Sequence, residues 1–375
     1  MGKKDRRNFI KKLGMGAAVT GAAGVAGTLN AWSSVPEKRE KAHRRGAVEW
    51  DLVTTWPAHF PILGEGVDLL SQWVGEMSGG RLRINVHGGG EQVPPLGVFD
   101  AVSQGDVQMG HGASYYWAAK CPASQFFTGI PFGFNAQAMN TWLYAGGGME
   151  LWKDVYEEFN LKPFVAGNTG AQMGGWFNRK IRSLADFRGL RMRIPGVGGK
   201  VLTRIGGRTV LVPGEDLCDH MAKGWLHATE WIGPFHDMAM GLHEVASYYY
   251  HPGWHENGSA LELIVNMDAW KGLPRDLQCI VEAAAARLNI WMLSEFEVRN
   301  TAALGALVRV HGVNLRQFPT PLLKQLKRIS GQVLEEMAHG DPQSRKVYED
   351  FRQFGEKTMV WNRLSEGQYQ GLRYL

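Results

Sequence analysis

"VEWDLVTTWPAHFPILGEGVDLLSQWVGEMSGGRLRINVHGG", residues 48 to 89, decides the fold class. Its first ten residues alternate like a strand and break at Pro57, where a backbone donor is lost. Apolar residues then recur at helical spacing from Ile62 until Gly79-Gly80 stops the pattern, and "RLRINVHGG" (81–89) alternates again. A strand, a helix and a strand joined by short connections form a βαβ unit, which predicts an α/β domain with a largely parallel sheet. "LGVFDAVSQGDVQMGHG" (96–112) continues the rhythm with a helix, a glycine stop and a short strand.

A similar unit returns in "GEDLCDHMAKGWLHATEWIGP" (214–234), a short helix, Gly224, then a strand running into Thr229-Glu230-Trp231. The two units read as matching pieces of two α/β lobes. From Arg275 to Leu304 there is no Gly or Pro, and Pro274 stands where a first-turn proline belongs. Such a helix reaches about 45 Å, enough to tie two lobes together. "PLLKQLKRISGQVLEEMAHG" (321–340) is a further amphipathic helix, and Asp341-Pro342 opens another by cap and first-turn chemistry.

The chain has 375 residues, 44% hydrophobic and 21% charged, the balance of a globular protein of about two domains. Its formal charge of +5 is concentrated at one end: residues 1–46 hold 11 of the 41 Lys+Arg and 3 of the 36 Asp+Glu, leaving a net of −3 elsewhere. That body has no nucleic-acid footprint. Within the basic end, "DRRNFIKKLG" followed by an uncharged Gly/Ala-rich run from Leu13 to Pro36 resembles a twin-arginine export leader, with Asp5 and Ile10 departing from its preferred residues. Cys121, Cys218 and Cys279 have no paired spacing and read as buried free thiols.

Four stretches could carry chemistry. In "GLRMRIPGVGGK" (189–200), Leu190, Met192 and Ile194 alternate with Arg191 and Arg193, so the arginines face away from the apolar trio. A guanidinium at a strand end suits a carboxylate, and it equally suits solvent. "GNTGAQMGGWFN" (167–178) places Gln172 among glycines, "ATEWIGP" (228–234) leaves Glu230 among apolar neighbours, and "HPGWHENG" (251–258) holds Glu256. Glu230 is the hardest to dismiss, because a buried carboxylate is costly unless paired or bound to a cation. "GVGGK" lacks the spacing of a phosphate loop, and no G-x-S-x-G nucleophile is present. Six histidines from His220 to His255 raise a zinc site, yet no pair stands in a helical H-x-x-x-H turn, and the cysteines are elsewhere.

At these stretches the chain resembles the DctP family, the extracytoplasmic solute-binding subunits of TRAP (tripartite ATP-independent periplasmic) transporters, and most of all the branch that binds 2-oxo acids. The resemblance is carried by "GNTGAQMGGWFN", "FRGLRMRIPGVGGKVLTRIGG" (187–207), "ATEWIGPFHDMAMGLHEVASYYYHPGWHENG" (228–258) and "LIVNMDAWKGLP" (263–274), in order along the body from Val48 onward. It implies a non-catalytic, two-lobed clamshell with a long helix spanning both lobes. Lobe I would take residues 47–168 plus 258–295 and lobe II residues 169–257 plus 296–318. Residues 1–46 would be the leader and linker, and 319–375 a C-terminal helical extension that is a candidate for dimerisation.

By the same resemblance Arg193 clasps the ligand carboxylate. Gln172, Glu230 and the backbone of Trp231 hold a bridging cation, Na+ or alternatively Ca2+. Glu256 contacts the other side of the ligand, with Tyr115 and Tyr116 of "GASYYW" (112–117) as walls from lobe I. The implied setting is the periplasm, with the TRAP membrane subunits and a second copy of the chain as partners. Two alternatives stand beside a pyruvate-like 2-oxo acid: a lactate-type 2-hydroxy acid held through calcium, and an exported enzyme. A structural adaptor is a third, and would leave Arg193, Gln172 and Glu230 exposed and uncoupled.

Overall fold

The computed structural model describes residues 46–212 and 214–372. The twin-arginine leader expected within residues 1–46 lies outside this range except for Gly46. Val48–Thr54 forms β1, Leu63–Met77 α1 and Leu82–His87 β2, as the opening stretch predicts. Trp50 and Leu52 point inward from β1 and Ile84 from β2, so period two buries one face against α1. Val98–Gln104 (α2) ends at Gly105, whose φ is +83°, and leads into Met109–Gly112 (β3).

Two sheets follow. The first has the order β2-β1-β3-β10-β4, with β4 at Leu161–Asn168 and β10 at Ala260–Asn266. The second has the order β11-β9-β5-β8-β6-β7. Its strands are β5 (Gly175–Phe177), β6 (Arg191–Arg193), β7 (Arg208–Val210), β8 (Ala228–Thr229), β9 (Tyr248–His251) and β11 (Leu315–Gln317). The pairings β1–β2, β1–β3, β6–β7 and β6–β8 are parallel. The expectation of largely parallel sheets fails at β10 and β5, each antiparallel to both neighbours. These are the strands through which the chain passes between the sheets. Leaving β4, it enters the second sheet at β5, and from β9 it returns to the first at β10. The passing segments are bonded to each other, Thr169 N to Ser259 O at 3.0 Å and Ser259 N to Thr169 Oγ1 at 3.0 Å.

Two helices follow strands of the second sheet: Gly196–Arg204 (α5) after β6 and Pro234–Ala239 (α6) after β8. Ala136–Ala145 (α3) and Gly148–Glu157 (α4) lie beside the first sheet. The long helix α7 runs from Arg275 to Arg309, past the expected end at Leu304 and through Gly305. It continues because Leu307 is fully buried with Trp176 and Tyr249 of the second sheet, and it stops before Gly312, whose φ is +62°. Its other buried residues, from Leu277 to Phe296, pack in the core that contains Trp50 and Leu52. One helix therefore touches the cores of both sheets. Pro274 caps α7 with extended backbone one position earlier than expected.

Thr320–Gly340 (α8) and Pro342–Leu364 (α9) complete the chain with a terminal helix, Glu366–Leu372 (α10). Asp341 caps α9 by accepting from Ser344 N at 2.7 Å, as the Asp-Pro pair predicts. The helix α8 packs on α5, whereas α9 packs on α3 and α4: Phe351 stacks on Phe134 at 3.8 Å, and Trp142 Nε1 donates to Asp350 at 2.7 Å. Of the three cysteines Cys121 is buried, Cys218 half-buried and Cys279 exposed, so burial holds fully only for the first.

Candidate functional site: a buried arginine, two carboxylates and an amide

Arg193 closes β6, and Glu230 directly follows β8. Parallel pairing sets Arg193 opposite Thr229, and Glu230 N donates to Arg193 O at 3.2 Å, so the two side chains emerge together. Arg193 Nη1 is ion-paired with Glu230 Oε1 and also donates to the Glu230 carbonyl at 3.3 Å. Arg193 is 3% exposed and Glu230 1%. The solvent reading of that arginine therefore fails: its strand face, opposite Met192, is covered. Burial works against the charge on Arg193, but the Glu230 carboxylate outweighs it and raises the guanidinium's pKa.

Around this pair sit Trp231 and His255. The Arg193 guanidinium lies 4.8 Å from the Trp231 ring centroid. His255 Nε2 stands 3.2 Å from Glu230 Oε2. Burial opposes protonation of His255, yet its hydrogen bond to Glu230 together with the charges of Glu230 and Glu256 raises the pKa. Sequence reasoning had counted His255 only among the six scattered histidines. The signal available was its position beside Glu256.

Gln172 and Glu256 come from the segments that pass between the sheets. The Gln172 carbonyl accepts from Gly253 N at 3.0 Å, and Met173 N donates to Ile232 O at 3.1 Å, so the Gln172 segment is laid between those that carry Glu230 and Glu256. That approach needs glycine at 253, where a Cβ would stand 2.4 Å from the Gln172 carbonyl oxygen. Gly175 needs its freedom too, with φ +107° and a would-be Cβ 2.6 Å from Thr229 O. Gln172 Nε2 donates to Glu256 Oε2 at 2.9 Å, to Ser259 Oγ at 3.0 Å and to Thr169 Oγ1 at 3.2 Å. Ser259 Oγ also donates to Glu256 Oε2. Burial, joined by the like charge of Glu230 and opposed by His255, pushes the Glu256 carboxyl up to about 7. Thr169 and Ser259 were missed by sequence reasoning, because their part depends on the contact of two segments ninety residues apart.

The structure thus joins Arg193, Glu230 and Trp231 in one group and Gln172 and Glu256 in another. His255, Glu256 and Glu230 make them electrostatic neighbours. Tyr115 and Tyr116 reach in from the first sheet with rings T-shaped at 4.8 Å. The Tyr115 ring lies 3.7 Å from where a Cβ on Gly196 of α5 would be, so the two sheets' elements meet at the site. Burial first, then the Glu256 charge, raises the Tyr115 hydroxyl well above its ordinary range and keeps it a neutral donor.

Four polar atoms here are buried without a partner among the described residues: Gln172 Oε1, Arg193 Nε, Trp231 Nε1 and His255 Nδ1. The first is an acceptor and the second a donor, the complement of a cation and an anion. An all-oxygen set of amide, carboxylate and backbone carbonyl suits hard cations such as sodium and calcium, whereas zinc sites draw on histidine or cysteine ligands as well. The histidines raised as zinc ligands are dispersed: His236 bonds Pro61 O at 2.9 Å, His220 bonds Asp216 O, and His243 lies against His311.

The chain is similar to known solute-binding proteins. A monocarboxylate 2-oxoacid-binding periplasmic protein of Nostoc sp. is 40% identical over 86% of this chain and 88% of its own length. Two solved TRAP periplasmic solute-binding proteins match with a TM-score of 0.84 over 87% of this chain and 99% of theirs. One, from Colwellia psychrerythraea, contains calcium and pyruvate at 38% identity, and the other, from Pseudoalteromonas atlantica, sodium and pyruvate at 37%. The model of the DctP family, described as bacterial extracellular solute-binding protein, family 7, matches residues 52–341. By that match, over most of its length, the chain belongs to the DctP family of solute-binding proteins, which bind ligands and catalyse nothing.

Proposed function

We propose that the chain is the periplasmic receptor of a TRAP transporter and captures a pyruvate-sized 2-oxo monocarboxylate together with Na+ or Ca2+. In this reading Arg193 grips the carboxylate, and Gln172 Oε1, Glu230 and the Trp231 carbonyl hold the cation. Glu256 faces the other side of the acid, and Tyr115 and Tyr116 wall it from the first sheet. Lobe I is residues 47–168 plus 258–295 and lobe II 169–257 plus 296–318, closing on the acid about the passing segments. Export follows the twin-arginine leader.

The observation that carries the reading is a buried arginine, with an unpartnered donor atom, beside a buried carboxylate and an unpartnered amide oxygen. A small 2-oxo acid offers few apolar atoms, each methylene-sized group being worth only about 0.8 kcal/mol on burial. Its affinity must therefore come from its carboxylate and keto oxygens. A guanidinium matches the first in a two-bond fork, and a cation chelates both while offsetting the charge of Glu230, which would otherwise repel the anion.

Arg193→Lys is the informative replacement. It keeps the charge that Glu230 needs, whereas Arg193→Met would strand a buried carboxylate and destabilise the fold by about 3–5 kcal/mol. Calorimetry with pyruvate and saturating Na+ or Ca2+ should show about 10–150-fold weaker binding, since the one charge-assisted bond of the fork that lysine cannot make is worth about 1.5–3 kcal/mol. Unchanged affinity would remove Arg193 from the site.

A further inference from the structure

The orientation of the Gln172 amide is overdetermined on one side and open on the other. Its nitrogen faces Thr169 Oγ1, Ser259 Oγ and Glu256 Oε2, while its oxygen meets no donor among the described residues. The hydrogens of both hydroxyls are committed elsewhere, that of Thr169 to Gly170 O at 3.0 Å and that of Ser259 to Glu256 Oε2. Both therefore present lone pairs to the amide. Rotating the amide by half a turn would set its oxygen against three acceptors and turn its NH2 toward the bridging position. Thr169 and Ser259 also lie on the two segments that pass between the sheets, are bonded through their backbones, and are buried.

We infer that Thr169 and Ser259 are positioning residues which lock the Gln172 amide with its oxygen toward the bridging cation, and so set how tightly the protein holds that cation. The inference rests on the proposed role of Gln172 as a cation ligand. Partners behind a metal ligand typically change metal affinity by about 10–100-fold when removed. Ser259→Ala removes one lone pair behind the amide and one of the two donors to Glu256 Oε2, yet leaves the residue 259 N–H bonded to Thr169 Oγ1. Thr169→Val deletes the other hydroxyl. Thr169→Ser and Ser259→Thr keep both.

The test titrates NaCl or CaCl2 at fixed pyruvate by calorimetry and tryptophan fluorescence, and records the melting temperature of the cation-free protein. For Ser259→Ala and Thr169→Val, the cation concentration giving half-maximal pyruvate binding should rise about 10–100-fold. Pyruvate affinity at saturating cation should return close to the parent value, and the two hydroxyl-keeping variants should behave like the parent. Gln172→Ala is measured alongside. If it loses cation dependence while Ser259→Ala and Thr169→Val keep the parent half-point, the positioning role is wrong and the Gln172 assignment stands. If Gln172→Ala itself keeps full cation dependence, the assignment beneath the inference fails. A fall in melting temperature with pyruvate weakened equally at every cation concentration would show a merely structural role and overturn the inference.

Discussion

Glu262 and Asp237 show how single side chains tolerate burial here without a countercharge. Glu262, on β10, accepts from Trp117 Nε1 and from Tyr156 Oη at 2.8 Å. Asp237, on α6, accepts from Trp176 Nε1 at 2.9 Å and Tyr249 Oη at 2.7 Å. Each carboxyl has one indole and one phenol donor, and burial pushes each up to about 7. In the unfolded chain a glutamate titrates near 4.3, so between about pH 4.5 and 7 the native state holds more protons than the unfolded one. Stability should therefore fall as pH rises through that window and level off above it, by on the order of 3 kcal/mol for Glu262 alone. Thermal melts of Glu262→Gln from pH 4.5 to 8 should show a shallower decline than the parent, and an identical slope would place the titration elsewhere. Of the site side chains, Arg193, Gln172, Glu230 and Glu256 were legible because glycine, proline and apolar neighbours isolate them in the sequence. Burial of Arg193 was not legible: period two gives the face a side chain takes, and only the tertiary fold gives what covers that face.

The strands, helices and their stops up to β3 could be read from periodicity and glycine, and the sequence places the two repeated helix–strand units that end in different sheets, at β3 and at β8. What it could not place was strand direction. Antiparallel β5 and β10 follow from long-range passage between sheets, which has no local signature. The extent of α7 was underestimated because Gly305 reads as a stop, whereas burial of Leu307 carries the helix another turn. α1 is pressed against α7 at Gly66, where a Cβ would stand 2.6 Å from the Met292 methyl and 2.9 Å from Leu288. Gly66→Val should overpack this seam and lower stability by about 1–3 kcal/mol in denaturant unfolding. Parent-like stability would mean that α1 shifts freely along α7.

Across the assembled chain, both sheets share α7, two passing segments and the C-terminal pair α8 and α9, and the site lies at the passing segments. The C-terminal extension packs on elements beside both sheets. Its final turns do not: Val360, Trp361, Leu364, Tyr369 and Leu372 are all more than half exposed. A second copy covering this apolar strip would account for it; if light scattering gives the parent the mass of two copies, Trp361→Glu with Leu364→Glu should reduce it to that of one. An unchanged mass would exclude that strip as the interface. The measurement closest to the centre of the account is a crystal structure of the protein grown with pyruvate and calcium. It should place the carboxylate in a two-bond grip by Arg193 and anomalous density for the metal between Gln172 Oε1, Glu230 and the Trp231 carbonyl. Pyruvate bound away from Arg193, or metal density remote from Gln172 and Glu230, would contradict it.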